Sequence, residues 1–272
     1  MKTITGNFLK EVYPRVLIFL LLIFFFFQIL NFRSFIYSII GGYYLRLLII
    51  ILLAFKEYKF YFIFNFKDFS KDWIKYSFFI FFSAFAASII IDIDKSMISK
   101  LLALENVAYY AVAVFIAAVI DTPSRAMFQI VNPLVSEAIS NNDKNRLEDL
   151  LKKSSMSLFL ISGLIFLLIN TNIGEIYNVV ESINKIQGYS IAIPVVLIIS
   201  ISKLYTSTIG CVNNIISNSN FYQYILFFSI FSALSLFFLN IYFIENIGLI
   251  GAAYSTLIII VVFNLLKILL VL

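Results

Sequence analysis

The sequence predicts an all-α protein, a polytopic transmembrane helical bundle that threads a bilayer about eight times. Three observations predict it. Hydrophobic residues make up 62% of the chain and charged residues 13%, where a soluble domain carries roughly half and a quarter. The 31 Phe and 16 Tyr are more aromatic surface than a globule of 272 residues can hide from water, and mean hydropathy reaches +0.99. The apolar residues also come in runs of about 20, the length of one bilayer crossing, separated by short basic loops.

The first run, Val16 to Leu30, follows Lys2, Lys10 and Arg15 as the apolar region of a signal peptide would. Gln28-Ile29-Leu30-Asn31 lacks the small side chains of a cleavage site, so the run reads as a retained helix. A second helix extends from Phe35 to Phe55, split by Gly41-Gly42 and carrying Arg46 near its middle. Lys56 to Lys75 is basic and aromatic, the composition of an interfacial connector. The third helix, Tyr76 to Met97, turns polar at Asp92-Ile93-Asp94-Lys95. The fourth, Val107 to Val131, contains the break Asp121-Thr122-Pro123-Ser124-Arg125. Val135 to Ser154 reads as an amphipathic surface helix, with Leu147, Leu150 and Leu151 on one face and Glu148 four residues before Lys152. Further apolar helices cover Ser155 to Asn172, Ile191 to Ile216, Phe221 to Phe243 and Ile247 to Leu270. The chain thus divides into 1–75, a helix pair with its connector, and 76–272, a six-helix lobe.

Basic residues set the orientation, because loops rich in Lys and Arg stay on the cytoplasmic side. With the N-terminus inside, the inner loops hold Lys2, Lys10, Arg15, the connector lysines, Lys144, Arg146, Lys152 and Lys153. The outer loops hold only Arg33, Lys95, Lys100 and Lys185. Both termini are therefore expected in the cytoplasm.

An ionised side chain deep in a bilayer costs about 2.5–3.5 kcal/mol even on lenient scales, so it faces a cavity, a partner or a substrate. Arg46, Asp121, Arg125 and Lys203 are the clear cases. Asp121 and Arg125 are four apart and would share a helix face beside the Pro123 break, a device common in transporters. A salt bridge without a ligand is the alternative for that pair, and snorkelling to the headgroups is the alternative for Lys203. Asp92 and Asp94 suit either a solvated rim or a site for a proton or cation. Small residues at Ser83, Ala84, Ala87 and Ser88, and at Gly248, Gly251, Ala252 and Ser255, predict close helix packing.

The composition also excludes chemistry. With no His and Cys211 as the single thiol, zinc sites, Ser-His-Asp or Cys-His triads and disulfide frameworks are absent. No phosphate-cradling glycine motif occurs, so neither an enzyme nor a bound cofactor is expected. The net charge of +5 lies in loops beside apolar runs, which argues for topology rather than nucleic acid.

Three stretches carry a resemblance. They are the run from Ile91 to Tyr110, containing Asp94-Lys95 and Met97; Pro123-Ser124-Arg125-Ala126 leading to Pro133-Leu134-Val135-Ser136-Glu137-Ala138; and Ile247-Gly248-Leu249-Ile250-Gly251-Ala252-Ala253-Tyr254-Ser255-Thr256. Together they resemble the polysaccharide (O-antigen type) exporters of the multidrug/oligosaccharidyl-lipid/polysaccharide flippase superfamily, from about Trp73 to the C-terminus. Members usually have two six-helix lobes, so the chain resembles a second lobe preceded by the last two helices of a first. The resemblance implies a bacterial inner-membrane transporter that carries lipid-linked oligosaccharide, an undecaprenyl pyrophosphate glycan, by alternating access. Arg46, Arg125 and Lys203 are then candidates for the pyrophosphate, and Asp92, Asp94 and Asp121 for charge pairing or a coupling ion. A truncated or split flippase that needs a partner chain for the missing helices, and a drug exporter of the same superfamily, are the alternatives.

Overall fold

The computed structural model describes residues 8–57, 71–184 and 188–271, and every described regular element is helical. Most of the expected interfacial connector, and Lys185, lie outside the described residues. The chain divides into two compact units, Met1–Asp68 and Phe69–Leu272. Seven described helices are long and apolar enough to cross a membrane, and a shorter apolar helix joins them, which makes this an all-α, multi-pass membrane bundle.

In the first unit a π-helical turn, Phe8–Val12, leads into α1 (Tyr13–Phe26), which a short turn joins to α2 (Phe32–Glu57). The expected first span ends early. Gln28 takes a left-handed conformation, φ 58°, so α1 stops at Phe26, and with the π-helical turn before it the helical run covers 8–26. Gly41-Gly42 does not split α2. Gly42 instead lets the Leu17 side chain of α1 reach the backbone of α2, where a Cβ would collide with it, and the Tyr13 hydroxyl donates to the Gly42 carbonyl at 3.1 Å.

The second unit begins with α3 (Lys71–Leu101), followed by α4 (Glu105–Ala118), a 3-10 turn Val119–Asp121 and α5 (Thr122–Ser140). The last three form one continuous run of 36 residues, Glu105–Ser140. Pro123 stands in the first turn of α5, where its missing N–H costs nothing, so the predicted break is a change of helix type and not a gap.

The surface helix expected over Val135 to Ser154 does not form. α5 ends at Ser140, Asn142 turns the chain with φ 53°, and the Asp143 carboxylate caps the next helix by accepting from Arg146 N–H at 3.0 Å. That helix, α6 (Lys144–Thr171), runs straight from the charged segment into the apolar one. Leu147, Leu150 and Leu151 pack on Val131, Val135 and Cys211, and Arg146 clamps Glu137 with both guanidinium nitrogens at 3.2 Å. This turn, flanked by Lys144, Arg146, Lys152 and Lys153, defines the basic end of the unit.

At the opposite end lies the amphipathic helix the fold does contain, α7 (Ile173–Asn184), which buries Tyr177. A 3-10 turn, Tyr189–Ala192, opens α8 (Ile193–Thr208). Gly210, at φ 66°, then breaks the helix beside Ser154 and Ser155 before the short α9 (Val212–Asn218). A Cβ at Gly210 would lie 2.9 Å from the Ser155 amide nitrogen, so only glycine lets α8 press this close to α6. The unit closes with α10 (Tyr222–Ile247) and α11 (Leu249–Val271). Gly251, Ala252 and Ser255 are buried, and a Cβ on Gly251 would strike the Phe243 carbonyl, so that stripe does allow close packing. On α3 the stripe is looser: Ser83 is buried, whereas Ala84 and Ser88 are exposed.

Candidate functional site

Asp94 is the most enclosed carboxylate among the described residues, 5% exposed. Its Oδ2 accepts from the Tyr110 hydroxyl and from Thr256 Oγ1, each at 2.7 Å, and its Oδ1 accepts from Asn240 Nδ2 at 2.7 Å. These donors sit on α4, α11 and α10, so one side chain of α3 ties four helices together. Each of the four residues stands five to seven positions from a helix end, about 8–10 Å along its axis, so all lie at one level. The donors are neutral, no cation pairs with Asp94 among the described residues, and the Asn240 Oδ1 is buried without a partner. A carboxylate in that setting holds a proton or a small cation, or keeps its charge on hydrogen bonds alone.

Asp92, two residues away, is different. Its side chain is 70% exposed and pairs with Lys95 at 2.9 Å.

The other charges gather toward the middle of the unit. The α4–α5 run lies parallel to α8–α9 along its whole length. The Tyr109 and Tyr189 rings meet at 5.0 Å, Ser124 Oγ donates to Ser207 Oγ at 3.0 Å, and Asn132 Oδ1 accepts from Asn214 at 3.1 Å and Asn218 at 2.8 Å. The sequence separations of the three hydrogen bonds are 83, 82 and 86, so Lys203 stands level with Ile120 and Asp121. α6 returns antiparallel, with the Cys211 N–H donating to Ser154 Oγ at 3.2 Å, which brings Ser162 to that level too. Ser162 is near the midpoint of the apolar stretch of α6, so this level is mid-span.

Viewed down α8, Lys203 falls between Thr206 and Ser207. Ser207 meets Ser124 of α5, and Thr206 takes a long 3.5 Å hydrogen bond from Asn264 of α11. Lys203 therefore stands on the side of α8 between its contacts with α5 and α11. Asp121, Arg125 and Asn132 follow one another at four and seven residues along α5, one face of the helix. Asn132 on that face reaches α9, which packs on α5, α10 and α11. Arg125 is 69% exposed and touches Asp121, itself 23% exposed, only at the 4.0 Å limit of an ion pair. Lys203 is half-buried and makes no ion pair among the described residues.

Of the sequence-predicted set, Arg125, Asp121 and Lys203 thus stand near one level, while Asp94 and Asp92 lie nearer the α7 end. Arg46 belongs to the first unit, where its Nε is enclosed and unpartnered among the described residues. Sequence reasoning missed Tyr110, Asn240 and Thr256. Their one signal is a neutral polar group inside an apolar helix. No protein-family model, no curated protein and no solved structure matches the chain.

Proposed function

We propose that the protein is a membrane transporter whose unit of six long helices moves a lipid-linked anionic glycan across a bacterial inner membrane by alternating access. The observation that carries this reading is that Arg125, its weakly engaged partner Asp121 and Lys203 stand near one mid-span level, and the reading places them in one cleft beside α5, α8 and α11. Two cations with one carboxylate leave net positive charge at a depth where an unpaired charge is costly, and a pyrophosphate supplies the compensation. Arg125 forks onto one phosphate, Lys203 meets the other as a mobile point charge, and the glycan rides in the open part of the cleft. Arg46 is the third cationic candidate. Asp94 takes the coupling ion, a proton or sodium, since its four-helix knot contains an acceptor to spare at Asn240. Basic residues at the turn between α5 and α6 support a cytoplasmic basic end.

The test is flipping of a fluorescent undecaprenyl-diphosphate sugar in proteoliposomes. Wild-type protein translocates it, and Arg125→Ala and Lys203→Ala each lower the rate at least tenfold at equal reconstitution. Full activity in both variants sinks the cationic-cleft reading. A second reading is favoured by the exposure of Arg125, whose side chain is 69% open within its unit. In that reading a partner chain supplies the facing wall, and transport appears only when the partner is co-reconstituted.

A further inference from the structure

Within the cleft, uncharged amides stand apart from the cations. Asn132 lies seven residues beyond Arg125 on the same face of α5, about 10 Å closer to the basic end. Its Oδ1 accepts from both Asn214 and Asn218 of α9, which leaves its own Nδ2, and the Oδ1 of Asn214, without a partner among the described residues. Asn132 and the neighbouring Asn213 are exposed, on a surface where most exposed side chains are Leu, Ile, Val and Phe. α9 cannot drift from this position, because Gly210 and Cys211 fix its start against Ser154.

We infer that the Asn132–Asn214–Asn218 cluster is a sugar subsite, which reads the first residues of the glycan while Arg125 and Lys203 hold its diphosphate. The inference rests on the transporter reading and adds the division of labour within it. A carboxamide both donates and accepts, which matches the paired hydroxyls and N-acetyl groups of a sugar and adds nothing to phosphate neutralisation. The 10 Å step from Arg125 corresponds to the reach from a diphosphate to its first one or two sugars. The subsite lies toward the basic end, so a glycan bound there trails toward the side from which a cytoplasmic substrate enters. Specificity of this kind comes from polar groups that stay unpaired when the hydroxyl is missing.

Equilibrium binding of two probes to the full chain in nanodiscs separates the roles: undecaprenyl diphosphate, and the same lipid bearing one N-acetylglucosamine. Wild-type protein is expected to prefer the sugar-bearing lipid by about tenfold, the value of one or two good hydrogen bonds. Asn132→Leu, and independently Asn214→Leu with Asn218→Leu, bring that preference to within twofold of unity and leave the bare diphosphate affinity in place. Arg125→Ala weakens both lipids. Equal binding of the two lipids by wild-type protein, or a preference that survives both amide variants, overturns the subsite and leaves the cationic cleft standing. Parallel weakening of both lipids in the amide variants also overturns it, since the amides then only brace α9 against α5. Binding of neither lipid overturns the subsite together with the transporter reading.

Discussion

Replacing Asp94 separates what its hydrogen bonds contribute from what its charge contributes. Asp94→Ala strips the acceptor from Tyr110, Asn240 and Thr256 at once, in a site that is 5% exposed. An interhelical hydrogen bond in a membrane protein contributes about 0.6 kcal/mol on average and about 1.7 kcal/mol at most, so three lost together cost about 2–5 kcal/mol. Asp94→Asn has the same shape. Its amide oxygen still accepts from Tyr110 and Thr256, and its new NH2 faces Asn240, whose own amide can turn to present the Oδ1 that lacks a partner in the native protein. That variant should lose no more than about 1 kcal/mol. Unfolding in mixed micelles against SDS mole fraction, followed by far-UV circular dichroism, reads both values. If Asp94→Ala stays within 1 kcal/mol of wild type, the four-helix knot is not a stabilising element and the reasoning fails. If Asp94→Asn is as damaging as Asp94→Ala, the negative charge and not donor satisfaction holds the helices.

Other positions give sharp expectations. Gly251→Ala should destabilise the same micellar protein by more than 2 kcal/mol, because its Cβ meets the rigid Phe243 backbone; Gly163→Ala, with nothing within 4 Å, should be neutral or slightly stabilising, and equal behaviour of the two would refute the close packing of α10 on α11. Burial pushes the Tyr177 phenol up from 10.0 to about 12. The folded state keeps this proton longer than the unfolded one, so its contribution is complete below pH 10 and lost as pH rises from 10 toward 12. Tyr177→Phe should flatten that alkaline decline in unfolding titrations, and an unchanged slope would place the phenol in water. Asn264→Leu removes the contact between α11 and Thr206 without touching Asp94. In the wild type, diphosphate affinity should vary with sodium concentration or pH, and in this variant the dependence should shrink; an undiminished dependence rules out α11 as the link.

The membrane class and most helix positions were legible because lipid imposes a simple demand: about 20 apolar residues per crossing, with backbone groups satisfied inside the helix. The errors fall where that demand relaxes. At the basic end, amphipathic periodicity from Val135 to Ser154 outweighed a turn signal that was present, Asn141-Asn142-Asp143, in which an asparagine tolerates positive φ and an aspartate caps the next helix. At the other end, Ile173, Ile176, Tyr177 and Val180 already had helical spacing, but α7 is too short to register as a span. Asp94 was singled out by its charge. Its partners were not, because Tyr110, Asn240 and Thr256 lie 16, 146 and 162 residues away and carry no charge to betray them. Arg125 and Lys203 could be named from depth alone, whereas their common level follows from the parallel run of α4–α5 beside α8–α9, which no local pattern encodes.

Ionised groups within the second unit find two different solutions to the cost of leaving water. Asp94 is enclosed and met on both oxygens by neutral donors, an arrangement that suits a ligand no larger than a proton or a bare cation. Arg125 is left largely open beside Asp121, and Lys203 is half-buried with no ion pair among the described residues; in the proposed transporter these are the groups that meet a bulky anion. α11 touches both. Thr256 binds Asp94, and Asn264, eight residues and about 12 Å further along, binds Thr206 one turn from Lys203. In the proposed transporter, α11 would be the shared element through which an ion bound at Asp94 acts on a passenger held near Lys203. The two polar contacts are single hydrogen bonds, set within extensive packing of α11 on α10 and α8.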